Sequence, residues 1–185
     1  MQSVAKALTE IFSPAVLSAS FLIVLGIIAG SWWAGLVAAF FGAIGPFVGI
    51  YVAARAGKVS GHHVRDRAQR LPILIASLAS ALIGLVILIA IHAPELVIAG
   101  LLTVSLGMIV VGVVNAFWKL SIHIAVVAVV TLALAVRVSP WWAFSLALIP
   151  AVAWSRIRLG DHTAAQTWAG ALAGAVVVAP FLLWA

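Results

Sequence analysis

The chain has 185 residues, of which 66% are hydrophobic and only 8% are charged, whereas soluble domains average about 25% charged residues. A soluble domain of this size leaves much of its surface in water, so the composition excludes a soluble enzyme, a disordered tail and a disulfide-linked secreted module. The chain has no cysteine, which also excludes thiolate metal sites and cysteine nucleophiles. We therefore interpret the net charge of +6 as loop charge beside a membrane and not as a nucleic-acid-binding surface.

Apolar stretches follow one another along nearly the whole chain after a short polar start at Met1–Glu10. Since a membrane crossing takes roughly 20 apolar residues, we expect an all-α, polytopic transmembrane helix bundle of six or seven spans, with residues 1–185 forming a single membrane domain. The predicted spans are 11–30, 32–54, 72–91, 96–117, a fifth that follows His123 and ends near 136, 141–154 and 167–184. The first of these either crosses the membrane or only dips into it. Small residues at 170–174 predict close packing of the last span against a neighbour.

Three polar stretches separate the spans, at 55–70, 119–123 and 155–166. Because successive spans alternate in direction, all three stretches face one compartment, and every lysine and arginine except Arg137 lies on that side. The positive-inside rule makes this face cytoplasmic. We therefore expect an integral protein of a prokaryotic plasma membrane, with its polar site on the cytoplasmic face.

Histidines and arginines dominate this polar face, which favours an anion and above all phosphate, because guanidinium groups pair with phosphate oxygens. Asp66 and Asp161 are too few to hold magnesium, so enzymes with Asp-rich motifs are disfavoured. Without a metal, phosphoryl transfer needs cations around the phosphate and an in-line nucleophile, which a histidine can supply. A second histidine can protonate the leaving oxygen. The sequence offers His123 in KLSIH and His162 in SRIRLGDHTAAQ.

The segment SRIRLGDHTAAQ resembles the third signature of the type 2 phosphatidic acid phosphatase superfamily, in which Ser, Arg and His have the spacing of Ser155, Arg156 and His162. The SIH tripeptide at 121–123 is similar to the second signature, Pro-Ser-Gly-His, and VRDRAQRLP at 64–72 resembles the basic first signature. The resemblance covers residues 55–175 and identifies the chain as a divergent member.

This resemblance implies an integral membrane phosphatase that hydrolyses a lipid phosphate or diphosphate, of polyprenyl or glycerophospholipid type, without metal or other cofactor. His162 would attack phosphorus, and His123 would protonate the leaving oxygen. Gln166 completes the predicted catalytic set, because residues 162 and 166 would share a helix face and the Gln166 carbonyl can accept the Nδ1–H of His162. The predicted phosphate ligands are Arg156, Arg65, Arg67, Arg70 and Ser121. The expected partners are the lipid-phosphate substrate and membrane lipids, with no nucleic acid.

Two departures from the family pattern leave alternatives open. Gln166 stands where the family has Asp, and Ile122 stands where a Gly would let the backbone approach phosphate closely. These departures motivate one alternative, a non-catalytic lipid-phosphate binder or carrier of the same fold. A small transporter subunit is a second alternative. The arginines of 65–70 can instead form a basic loop against anionic headgroups, and Ser121 can instead cap the fifth span.

Overall fold

The computed structural model describes residues 1–57 and 67–183, with the side chains of 67–71 excepted. Within these ranges all regular structure is helical. The α-helices are α1 Gln2–Ile11, α2 Pro14–Ile28, α3 Trp32–Ala39, α4 Gly45–Arg55, α5 Arg67–Ala90, α6 Glu95–Phe117, α7 Ile122–Ala133, α8 Leu148–Arg158 and α9 Ala164–Leu183. A π segment at Phe40–Ile44 joins α3 to α4, a second at Leu134–Val138 extends α7, and a 3-10 helix at Pro140–Ala147 precedes α8.

Several helices have the length and composition needed to cross a membrane, which agrees with the predicted protein class. Within the described ranges, four helical runs meet this requirement, namely Trp32–Arg55, Pro72–Ala90, Glu95–Phe117 and Ala164–Leu183. The helices α1 and α2 are bent by 42° at a short break, and together they would make a fifth span or a re-entrant loop. The first predicted span, 11–30, corresponds mainly to α2, and the bent pair is compatible with either of its two interpretations.

In the described ranges the structure gives four candidate spans, or five if the bent pair counts as one, so the expected six or seven spans are not confirmed. The fifth predicted span is the short apolar helix Ile122–Val138. The sixth is divided between the 3-10 helix Pro140–Ala147 and α8, which continues to Arg158. Ile122–Val138 is a shorter apolar helix than the four candidate spans, and the sixth segment changes helix type at Ala147.

The short polar start at Met1–Glu10 is helical, because α1 covers Gln2–Ile11. Ala5 and Thr9 lie one turn apart on α1 and are buried, whereas Val4 is exposed. Pro14 is well suited to begin α2. The N–H groups of the first helical turn have no partner within the helix, so the missing N–H of proline costs no hydrogen bond there. The bend between α1 and α2 therefore comes at a position where proline is well tolerated.

The chain divides into two compact units, one formed by Met1–Leu17 with Val113–Ala185 and the other by Ser18–Gly112. In the second unit, α2 and α3 meet at a pair of glycines, since a Cβ added to Gly26 would lie 2.5 Å from the Cα of Gly35. Leu22, Leu25 and Leu101 are fully buried in this unit.

In the first unit, α7 and α9 lie side by side with their backbones in contact. A Cβ added to Gly170 would lie 2.5 Å from the carbonyl oxygen of Ser121, and one added to Gly174 would overlap the carbonyl oxygen of Ala125. The close packing that the small residues predict is therefore confirmed. Because residue numbers rise together along both helices, α7 and α9 are parallel and their N-termini lie at the same end.

Candidate functional site

The turn that ends α8 brings Arg156 and His162 together. Gly160 has a φ of +72°, a left-handed conformation that glycine adopts without steric penalty. The Asp161 N–H donates to the Arg156 carbonyl at 3.1 Å, and the Gly160 N–H donates to the Ile157 carbonyl at 3.0 Å. This pair of bonds is a Schellman motif. The His162 N–H also donates to the Arg156 carbonyl, at 3.3 Å, so the spacing of the two residues follows from how the helix ends.

Gln166 belongs to a capping box at the start of α9. Its N–H donates to the Thr163 hydroxyl at 3.3 Å, and the Thr163 N–H donates to Gln166 Oε1 at 3.1 Å, which satisfies two N–H groups reciprocally. The same Oε1 lies 3.2 Å from His162 Nδ1. The expected contact between His162 and Gln166 is therefore present. The expected reason for it is wrong, because α9 begins at Ala164 and His162 precedes the helix.

These contacts determine which nitrogen of the His162 ring carries the proton. A backbone N–H can only donate, so the group that Thr163 meets on Gln166 is the amide oxygen. That oxygen can only accept, so Nδ1 of His162 carries the hydrogen. The lone pair of the neutral ring then lies on Nε2, which is the atom able to act as a nucleophile.

Two cations and one carboxylate surround this ring. Arg156 Nη1 lies 3.0 Å from Asp161 Oδ2, and Lys119 Nζ donates to the Asp161 carbonyl at 2.7 Å. Burial, followed by the positive charges of Arg156 and Lys119, lowers the pKa of His162 from 6.5 to about 4, against smaller opposing effects of Gln166 and Asp161. The ring is therefore neutral at pH 7, as attack through Nε2 requires.

Ser121 occupies the N-cap position of α7 and is linked to Gln166. Its N–H donates to the Gln166 carbonyl at 3.1 Å, but its hydroxyl makes no capping bond. Among the residues that the structure describes, the Ser121 hydroxyl is buried without a hydrogen-bond partner, and so is the Nε–H of Arg156. Unpaired buried donors are costly, and both are groups that a phosphate oxygen would satisfy.

Backbone dipoles add to the positive charge at the end where α7 and α9 begin. The parallel helices α7 and α9 both begin here, and helix N-termini carry partial positive charge. Arg156 and Lys119 lie beside them, and anions bind favourably at such ends. The arrangement is therefore suited to an anion with several oxygens.

The other predicted site residues are His123 and the three arginines of 65–70. His123 is buried in the first turn of α7, in the same compact unit as His162. Arg67 and Arg70 belong to the start of α5, in the other unit, and their side chains are among those excepted. Arg65 lies outside the described residues. The structure thus brings together His162, Gln166, Arg156 and Ser121, and the roles of all the predicted site residues remain predictions.

Sequence reasoning missed three residues of this site. Thr163 could have been found, because Thr-Ala-Ala-Gln has the Ser/Thr-x-x-Glu/Gln pattern of a capping box. Lys119 could not, since 42 positions separate it from Asp161 and their contact is tertiary. Asp161 lies in the turn that ends α8, where it pairs with Arg156. Within the described residues, His, Asp and Glu side chains do not form a group of three that could hold a metal ion.

Comparison with protein-family models, with curated proteins and with solved structures gives no match for this chain. The described parts define an all-helical protein with several helices apolar enough to span a membrane. The likeness to the phosphatase superfamily rests on the three segments quoted above.

Proposed function

We propose that this chain is an integral membrane lipid phosphate phosphatase, which hydrolyses a phosphoric ester or diphosphate of polyprenyl or glycerophospholipid type. The observation that carries the proposal is the neutral His162 ring, which Gln166 holds through Nδ1 while Arg156 lies beside it. A nucleophile and a cation for the phosphate oxygens are the two requirements of metal-free phosphoryl transfer.

The first chemical step forms a phosphohistidine. Nε2 of His162 attacks phosphorus, the bond from phosphorus to the leaving oxygen breaks, and His123 gives that oxygen a proton. As positive charge develops on the His162 ring, the Gln166 carbonyl keeps accepting from Nδ1–H. Gln166 is thus a positioning residue, because it acts through His162.

The second step regenerates the enzyme. Water attacks the phosphorus of the phosphohistidine, the bond between phosphorus and Nε2 breaks, and His123 takes the proton of the water. Arg156 and Ser121 bind the phosphate oxygens through both steps. Inorganic phosphate and a lipid alcohol or lipid monophosphate leave.

The proposed setting is the cytoplasmic face of a prokaryotic plasma membrane. Six or seven crossings follow if Ile122–Val138 and the segment 141–154 also cross. The polar stretches 119–123 and 155–166 contact each other through Lys119 and Asp161, which supports a single site at one end of the helices.

The test is phosphate release by the full chain purified in detergent, with phosphatidic acid and a polyprenyl diphosphate as substrates and EDTA present throughout. We expect release by the native chain and none by His162→Ala. The matched control is His92→Asn, since His92 has a φ of +51° that asparagine tolerates. Rapid quenching should trap a phosphoenzyme that is stable to alkali and labile to acid. Release that persists in His162→Ala would overturn the mechanism.

One observation favours the alternative of a non-catalytic lipid-phosphate binder of the same fold. The amide of Gln166 is neutral and already serves the capping box, so it stabilises an imidazolium less than a carboxylate would. A binder would retain phosphate in the Arg156 site without releasing it from lipid. Saturable phosphate binding with no turnover of either lipid would establish this alternative.

A further inference from the structure

The Asp161 carboxylate already pairs with the Arg156 guanidinium, which is the group that the proposed phosphate would bind. Its Oδ2 lies 3.0 Å from Arg156 Nη1, so the two side chains form an ion pair. A carboxylate at this position takes the place that one phosphate oxygen would otherwise take. Any anion that binds Arg156 therefore competes with a group of the chain itself.

The two partners of this ion pair differ in their access to water. The Arg156 side chain is 11% exposed, whereas the Asp161 side chain is 45% exposed. The carboxylate can rotate out and recover its hydration, but the guanidinium cannot. If the pair opens, Asp161 is therefore the partner that leaves.

The ion pair also leaves Arg156 incompletely satisfied. Among the described residues, Arg156 Nε–H is buried without a hydrogen-bond partner while Nη1 contacts Asp161. A phosphate group carries enough oxygens to accept from both nitrogens, as bidentate arginine binding requires. Exchange of the carboxylate for phosphate would thus satisfy a donor that Asp161 does not.

The backbone around Asp161 stays fixed when its side chain moves. The Schellman motif holds its N–H on the Arg156 carbonyl, and Lys119 Nζ donates to its carbonyl. Glu10 of α1 provides a second favourable charge for Arg156, so the guanidinium retains a compensating negative charge after Asp161 leaves. The side chain can therefore move without loss of the turn that positions His162.

We propose that Asp161 is a built-in competitor for phosphate at Arg156, which the phosphate group of the substrate displaces on binding. This inference rests on the proposed function, since it requires phosphate to bind at Arg156. It makes Asp161 a specificity-determining residue. The carboxylate weakens the binding of every anion to Arg156. A singly charged phosphodiester headgroup of the surrounding membrane is therefore excluded, whereas a phosphomonoester or diphosphate still binds.

The experiment measures binding of inorganic phosphate by calorimetry to the full chain in detergent at low ionic strength. Asp161→Asn keeps an acceptor for Arg156 but removes the charge, and we expect it to bind phosphate about fivefold more tightly. Asp161→Ser should behave alike, and both should keep the unfolding temperature of the native chain. The matched control is Glu95→Gln, which removes one carboxylate from the other compact unit and should leave the affinity unchanged.

Each outcome bears on a different part of the proposal. Tighter binding by both Asp161 variants, with Glu95→Gln unchanged, supports the competitor role. Equal or weaker binding by these variants overturns that role and leaves the proposed function standing. A gain as large in Glu95→Gln also overturns it, because net charge alone would then explain the effect. If neither the native chain nor the variants bind phosphate, the proposed function and the competitor role both fail.

Discussion

Gly170 of α9 lies directly against the carbonyl oxygen of Ser121, where an added Cβ would come within 2.5 Å of that oxygen. The same stretch of α9 supplies the Gln166 carbonyl that accepts the Ser121 N–H. The contact between the two helices therefore holds the start of α7 against the residues that position His162. Packing and site geometry depend on the same pair of backbones.

The first prediction concerns Gly170→Val. A branched side chain here must push α9 away from the α7 backbone, because the neighbouring atom is a carbonyl oxygen and not the flexible end of a side chain. We expect a loss of about 1–3 kcal/mol in the free energy of unfolding and a parallel loss of phosphatase activity. Thermal unfolding in detergent and phosphate release measure the two effects.

A matched glycine provides the control for this prediction. Gly49 lies within α4, and a Cβ added there meets no atom within 4 Å. Gly49→Ala should therefore raise stability by about 0.5–1 kcal/mol, because glycine is unfavourable inside a helix. If Gly170→Val proved as stable as the native chain, the close α7–α9 contact would be refuted.

The second prediction concerns Gln166→Glu. Glutamate at this position still closes the capping box, and its carboxylate accepts from both Thr163 N–H and His162 Nδ1–H. The added negative charge should raise the pKa of His162, and it should speed attack by stabilising the imidazolium. NMR titration of the ring reports the first effect, and the rate of phosphoenzyme formation reports the second. Gln166→Ala, which loses both bonds, should lower stability and activity together.

The third prediction concerns the pH dependence of stability. The pKa of His162 is lowered to about 4 in the folded chain from an ordinary value of 6.5, so the unfolded chain takes up a proton first as pH falls. The contribution of neutral His162 to the free energy of unfolding is therefore fully present above about pH 6.5, and it is lost progressively as the pH falls to about 4. Unfolding midpoints across this range should show the loss, and His162→Gln should reduce it. An identical pH profile in His162→Gln would contradict the assignment.

Composition alone predicts the class of fold here, because so many apolar residues have no other favourable environment than lipid. It does not predict where each helix ends. The 3-10 helix at Pro140–Ala147 is followed directly by α8 within apolar sequence that looks continuous. Hydrophobicity does not distinguish one straight span from two shorter helices, since both bury the same kinds of side chain.

For the site, the sequence identifies residues whose geometry follows from local structure. Arg156 and His162 are adjacent because Gly160 ends α8 in a Schellman motif, which is a local device. Lys119 was missed because its contact with the Asp161 carbonyl is tertiary. Gln166 is an intermediate case. Its contact with His162 was expected because the two residues would share a helix face, but it arises from the capping box.

The last prediction concerns how α1 is held to α8. Ser155 Oγ donates to the Ala5 carbonyl at 2.9 Å and lies 2.6 Å from the Thr9 hydroxyl. Because the single hydroxyl hydrogen of Ser155 is used on Ala5, Thr9 must donate to Ser155. Ser155→Ala therefore leaves two buried groups without their partner and should cost about 1–3 kcal/mol, more than Thr9→Val, which removes only the donor.

Loss of this link should also affect the site, because Glu10 follows Thr9 on α1 and provides a favourable charge for Arg156. Chemical unfolding of both variants measures the stability, and phosphate affinity reports the effect on Arg156. Ser3→Ala, at an exposed position of the same helix, is the control and should change neither quantity. A smaller cost for Ser155→Ala than for Thr9→Val would reverse the donor assignment, because the hydroxyl hydrogen of Ser155 would then not be engaged by Ala5.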